Sequence, residues 1–174
     1  MSAPTQYVAS IAVDSVIEAI GAFIQPFVGS AQIIRAEVNR VAPPNGAYVE
    51  LTELMQVDLE YPRTWYDNTY LQNNTVGPKR ISVQADFYGP LSGDWCAAVK
   101  QMFRTPYAAS AFPAGIAPLY TDEGHQAPLI TGEEQYLRRW ALTLELQYNP
   151  IVVIDAESAN TLKMNIVQDV ETIN

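Results

Sequence analysis

The chain is poor in the side chains that carry most enzymatic chemistry. Its 174 residues include one cysteine, Cys96, and one histidine, His125. A lone cysteine excludes an intrachain disulfide and leaves the redox compartment open, with cytosol compatible. Basic residues are scarce as well. Ten Lys and Arg stand against nineteen Asp and Glu, a net charge of −9, and only Lys79-Arg80 and Arg138-Arg139 form basic pairs that stand out. Affinity drawn from neutralised phosphates needs the opposite balance, which argues against a DNA-binding protein. Long apolar runs are missing: the most apolar region, Ile11 to Val28, is interrupted by Asp14, Glu18 and Gln25 and falls short of a membrane span. The N-terminus has neither the basic start nor the apolar core of a signal peptide, so the acceptor pattern Asn73-Asn74-Thr75 carries no glycosylation reading. There is no glycine loop of the kind that cradles phosphate.

What is present reads as one globular domain. A hydrophobic fraction of 48% is ample for a core, while a charged fraction of 17% is low for a freely soluble monomer, so part of the surface is expected to be interface. The strongest pattern runs from residue 136 to 154. Trp140, Leu142, Leu144, Leu146 and Tyr148 fall on one side, opposite Arg139, Ala141, Thr143, Glu145, Gln147 and Asn149. That period of two predicts a long C-terminal strand with one face on the core. At Pro150 the run turns apolar on both faces, Ile151 to Ile154, and the strand is expected to bend there or pass into another sheet environment.

The remaining elements follow from similar signals. Residues 1–13 show no clean period and read as an N-terminal arm; 14–174 reads as a single domain. Val16, Ile17, Ile20, Phe23, Ile24 and Phe27 recur at helical spacing, which predicts a helix over about 14–26, capped by Asp14 and ended or kinked by Pro26 and Gly29. Gln32 to Val41 and Tyr48 to Tyr61 have strand character around the turn signal Pro43-Pro44-Asn45-Gly46, which predicts an antiparallel pair. Residues 62–78 lack a period and read as an inserted loop, functional because Trp65, Tyr66 and Tyr70 are too many large aromatics for a disordered one. Lys79 to Gly89 alternates as a second strand, and a second helix follows over about 92–105, with Asp94 near its start and Lys100 and Arg104 toward its end. Leu119-Tyr120 reads as a short strand piece, Thr121 to Gln126 as a polar loop, 155–159 as a turn, and Leu162, Met164, Ile166 and Val170 as a final strand or edge. The fold class is α+β of the α/β sandwich type: a mixed or mainly antiparallel twisted sheet packed by two helices.

Catalytic constellations are thin. His125 lies in Asp122-Glu123-Gly124-His125 near Glu133-Glu134, a carboxylate–histidine group without repeated ligand spacing, and a solvated polar loop is the better reading. A small protein-binding module or a metal-dependent enzyme centred on His125 stands as the alternative function. Cys96, with no histidine near it in sequence, reads as a small buried residue rather than a nucleophile. No cofactor, catalytic residue or metal ligand is assigned. Arg138 and Arg139 beside Glu133 and Glu134 suit intersubunit ion pairs or an ordinary charged strand start equally. The aromatic loop suits a protein contact.

As an ordered set, RAEVNRVAPPNGAYVELTEL (35–54), VQADFYGP (83–90) with the helix ending Phe103-Arg104, GIAPLY (115–120) and PLITGEEQYLRRWALTLELQYNP (128–150) resemble the neck or tail-terminator proteins of tailed bacteriophages, over roughly residues 14–170. The resemblance implies a structural virion protein at the head–tail junction, made in the host cytoplasm. It implies a ring of self-associated subunits, usually a hexamer, that terminates the tail tube and meets the head-side connector or stopper protein, and the sheath where the tail is contractile. DNA would pass through the lumen without specific binding, no membrane would be involved, and no catalytic residues are required. A ring demands a heterologous contact. The candidate subunit-interface residues are Trp65, Tyr66 and Tyr70 in the loop, and Arg138, Arg139, Glu145 and Gln147 on the polar face of the long strand. An acidic lumen that repels phosphates would give the net charge a use.

Overall fold

A computed structural model describes residues 8–36, 44–127, 129–130 and 136–156. Its main sheet is built on two strands of ten residues, β5 (Lys79–Tyr88) and β10 (Arg139–Tyr148), paired antiparallel from Arg139↔Tyr88 to Tyr148↔Lys79. Beside β5 runs β2 (Tyr48–Asp58), antiparallel with a register shift between Glu53 and Met55, and beyond it lies β1 (Gln32–Arg35). On the other flank β10 takes β6 (Ile116–Thr121) and the short β7 (His125–Gln126). The alternation at 140–148 is realised as read: Leu142, Leu144, Leu146 and Tyr148 are buried, as are Ile81, Val83, Ala85 and Phe87 on the same face of β5.

Three helices supply the apolar partner for that face. Helix α1 (Val13–Val28) turns Val16, Ile17, Ile20, Phe23, Ile24 and Val28 inward, and α2 (Ser92–Phe103) adds Cys96, Val99 and Phe103. A third, short helix α3 (Pro106–Ala111) lies in a stretch that carried no element on sequence. Phe23 joins these helices, 5.6 Å from the Phe103 ring and 5.4 Å from Phe112. Helix α1 begins before and ends after its expected span, because Asp14 sits in the first turn and pairs with Arg35 instead of capping, and because Pro26 falls in the last turn. Lacking an N–H, Pro26 gives the Ala22 carbonyl no i→i−4 donor, a break that falls only two residues before the helix ends. Past the end, Gln25 donates to the Gly29 and Ala31 carbonyls.

A second, three-stranded sheet holds β3 (Arg63–Asp67), β4 (Gln72–Val76) and β11 (Ile151–Asp155) in the order β3-β4-β11. It continues the three central strands of the main sheet in the same order: β2 runs on into β3, β4 into β5, and β10 into β11. Each crossing has a proline directly before the next strand, Pro62, Pro78 and Pro150. A residue without a donor interrupts the ladder, while its carbonyl still accepts, as Pro78 does from Leu59 (3.0 Å) and Pro150 from Gly77 (3.4 Å). One sheet is thereby cut into a main sheet and a small one. A two-stranded pair, β8 (Leu129–Ile130) with β9 (Tyr136–Leu137), completes the described strands.

Five expectations are corrected. The strands before and after residues 43–46 are parallel, with Gln32↔Tyr48 to Arg35↔Leu51, so they do not form a hairpin. The 62–78 segment is a hairpin, invisible to periodicity because both faces of the small sheet meet solvent and no polar–apolar alternation is needed. The 136–154 strand is three strands in three sheets, β9, β10 and β11. Helix α2 stops at Phe103 and the polar 121–126 loop ends in β7. The predicted strand at 162–170, the turn beyond Ala156, residues 1–7, the turn's Pro43 and Glu133-Glu134 lie outside the described residues.

Candidate functional site

The small sheet gathers the aromatic residues that the sequence singled out. Cross-strand rows Trp65/Asn74/Val153 and Tyr66/Asn73/Ile154 alternate between its faces. Trp65 and Tyr66 are 45% and 46% exposed, and Tyr70, in the turn, 72%. The turn itself is ordered: Asp67 accepts from the Thr69 and Tyr70 N–H groups at 2.8 and 3.3 Å, and Leu71 takes a φ of 53°. Thr64 and Thr75 hydroxyls meet at 2.9 Å, and Gln72 donates to Asp155 at 3.1 Å, so the sheet is laced across all three strands. Leu54, Met55, Leu59 and Tyr61 add exposed apolar surface along the end of β2 and the crossing to β3. Surface of this kind in a small area marks an interaction site. Sequence reasoning missed Leu71, Val153 and Ile154 as members. The signal was the two-faced apolar run 151–154, which fits a small sheet exposed on both sides.

The polar face of β10 is used inside the chain. Asp86, 2% exposed, accepts from Arg139 Nε at 3.0 Å and Nη2 at 2.7 Å and from the Gln84 amide at 2.9 Å. Those bonds hold the Arg139 guanidinium pKa above its ordinary value. The guanidinium also stands 5.8 Å over the ring of Tyr88, which stacks on Tyr48 at 4.4 Å. Tyr88 donates to Glu50 at 3.2 Å, and burial raises its pKa well above 10.0. Further along, Glu145 accepts from Ser82 at 2.6 Å and lies 3.5 Å from Arg80, whose other nitrogen donates to Tyr120. Gln147 donates to Asn149, and Arg138, exposed, to the Pro90 carbonyl. The structure therefore places Trp65, Tyr66 and Tyr70 on one hairpin and Arg139, Glu145 and Gln147 on the polar face of β10, bonded to neighbours in the same chain; Arg138, expected on that face, precedes β10 and lies on the opposite side with Trp140, beside Gly93 of α2.

The His125 group is drawn into the fold. His125 pairs with Ala141 on the sheet flank, Asp122 accepts from Thr143 N–H at 2.8 Å, and Glu123 pairs with Lys100, which lowers the Glu123 pKa. Among the described residues no three His, Cys, Asp or Glu side chains gather as a metal site. Cys96 is buried, and burial foremost, with Asp122 next, pushes its thiol up to about 11. An open groove of about 510 Å³ lies between α1 and β1, lined by Ile17, Ile33 and Leu51 together with Asp14, Glu18 and Arg35. No helix among the described residues is long and apolar enough to cross a membrane.

The sequence pattern of the phage neck terminator proteins matches residues 14–173, nearly the whole chain. The chain belongs to this family. A cryo-electron-microscopy structure of the sheath/tube terminator of an extracellular contractile injection system, in its extended state, superposes with a TM-score of 0.52 at 11% identity, over 95% of this chain and 66% of that one. At that identity the likeness is one of fold, and the terminator described here spans just under two thirds of that protein's length. No curated protein matches. Family membership gives this terminator a structural role in ending a tail.

Proposed function

We propose that this terminator assembles as a closed ring, six subunits in the expected case, that caps the tail tube in the virion neck and meets the head-side connector. The observation that carries the reading is the small sheet: three strands, exposed on both faces, with Trp65, Tyr66, Tyr70, Leu71, Val153 and Ile154 in solvent. A lone subunit gains nothing from that exposure, and a subunit held by neighbours buries it. Within the ring, Arg138, Arg139, Glu145 and Gln147 hold the main sheet in shape, and the small sheet makes the subunit contact. The net charge of −9 lines the lumen with acid and lets DNA slide past. No catalytic step is needed for any of this.

The test is the native mass across a concentration series, followed by negative-stain imaging and by mixing with tail tubes. A closed ring whose pore admits a duplex, about 20 Å across, and capped tube ends are the expected results. Bare tube ends, or a ring whose channel is lined with Lys and Arg, would sink the reading.

A further inference from the structure

The outer edge of β3 is open: among the described residues no strand pairs with it. Open edges are normally blunted, and the others here are. β1 has only four residues, β6 contains Pro118, and β11 is partly covered by Ala9 and Ser10, with Ser10 N–H donating to the Ile151 carbonyl at 2.9 Å. The interior of β3, Thr64-Trp65-Tyr66, has no proline, lysine or bulge. It is regular in register, partly aromatic and suited to receive a strand.

The chain leaves the same small sheet from its other edge strand. β11 ends at Asp155 beside the hairpin turn, where Ala156 N–H bonds the Leu71 carbonyl at 2.9 Å, and the chain continues through residues 157–174. Within that continuation Leu162, Met164 and Ile166 alternate with Thr161, Lys163, Asn165 and Val167. We propose that residues 161–167 of one copy pair with the β3 edge of the next copy, adding a fourth strand to its small sheet. The donor leaves from the β11 side, and the acceptor lies on the opposite side, across β4. Each copy thus offers a strand at one edge and an open edge at the other, which is the head-to-tail relation that generates rings. On the receiving copy, Leu162, Met164 and Ile166 cover the face that carries Trp65 and Val153, and backbone pairing supplies the register. The proposal deepens the ring reading, but only the number of copies rests on that reading.

Amide hydrogen exchange on the full chain tests it. Raising the concentration from dilute to assembled protein should slow the outward-facing amides of Thr64–Tyr66 by about tenfold or more. Met164→Pro should abolish that protection while near-ultraviolet circular dichroism shows an intact fold. Protection that does not change with concentration assigns the edge to the chain's own C-terminal segment and overturns the exchange. So does an assembled protein whose β3 amides exchange freely. Native mass on the same samples separates the two ideas: a ring with unprotected β3 loses the exchange and keeps the ring, and protected β3 in a dimer or open chain does the reverse. A monomer with free exchange at every concentration overturns both.

Discussion

At Asp86 a carboxylate removed from water is met by two N–H groups of Arg139 and the amide of Gln84. Deleting the acid leaves the guanidinium partly buried without its counter-ion, so Asp86→Ala should cost about 3 kcal/mol in chemical denaturation. Gly89 is a second sensitive point. Its φ of +118° disfavours any side chain, and a Cβ there would stand 2.7 Å from that of Ala47, so Gly89→Ala should lose about 2 kcal/mol by the same measurement. Raised pKa values set the alkaline limit. The Cys96 thiol moves from 9.0 to about 11, and Tyr48, Tyr88 and Tyr148 all move above 10.0. A group raised on folding stabilises fully below its unfolded pKa and loses that contribution as pH climbs through the folded one. On the alkaline side stability should therefore hold from neutral pH to about 9 and fall above it, as a melting-temperature series would read. That Trp65, Tyr66 and Tyr70 share one exposed segment was legible from composition. The partners of Arg139 and Glu145 were not, since Asp86 and Ser82 are more than fifty residues away and only strand register brings them together.

At the scale of elements, β10 is the strand whose period announced it, and its core face should behave accordingly. Leu146, fully buried, should cost about 3 kcal/mol when cut to Ala. Substitutions on the small sheet should act differently. Trp65→Ser with Tyr66→Ser removes exposed rings, so the melting temperature should stay within a few degrees while the oligomer dissociates in sedimentation. An oligomer unchanged by that double substitution would place the contact elsewhere. Sequence reading succeeded where an apolar face stands opposite a polar one, as in α1, β5 and β10. It failed at β3 and β4, where both faces are wet, and at β1, where four residues leave parallel and antiparallel pairing indistinguishable. The change of sheet at Pro150 was legible because a missing donor is a local fact. That Pro62 and Pro78 mark the same seam needs three-dimensional order.

For the whole molecule, a member of the neck terminator family should remain a single cooperative unit in thermal unfolding, because all three helices share one core with the main sheet. The seam of three prolines has a mechanical consequence. A plate attached by one strand would swivel on its tether, whereas the small sheet hangs on three covalent lines in register. Each line ends in a long central strand of the main sheet, β2, β5 or β10. Pull on the small sheet is shared among the three and reaches the interior as tension along strands gripped by partners on both sides. Twist is resisted by the spacing of the lines, and bending is the one easy motion left. Whatever grips the small sheet therefore holds the core directly.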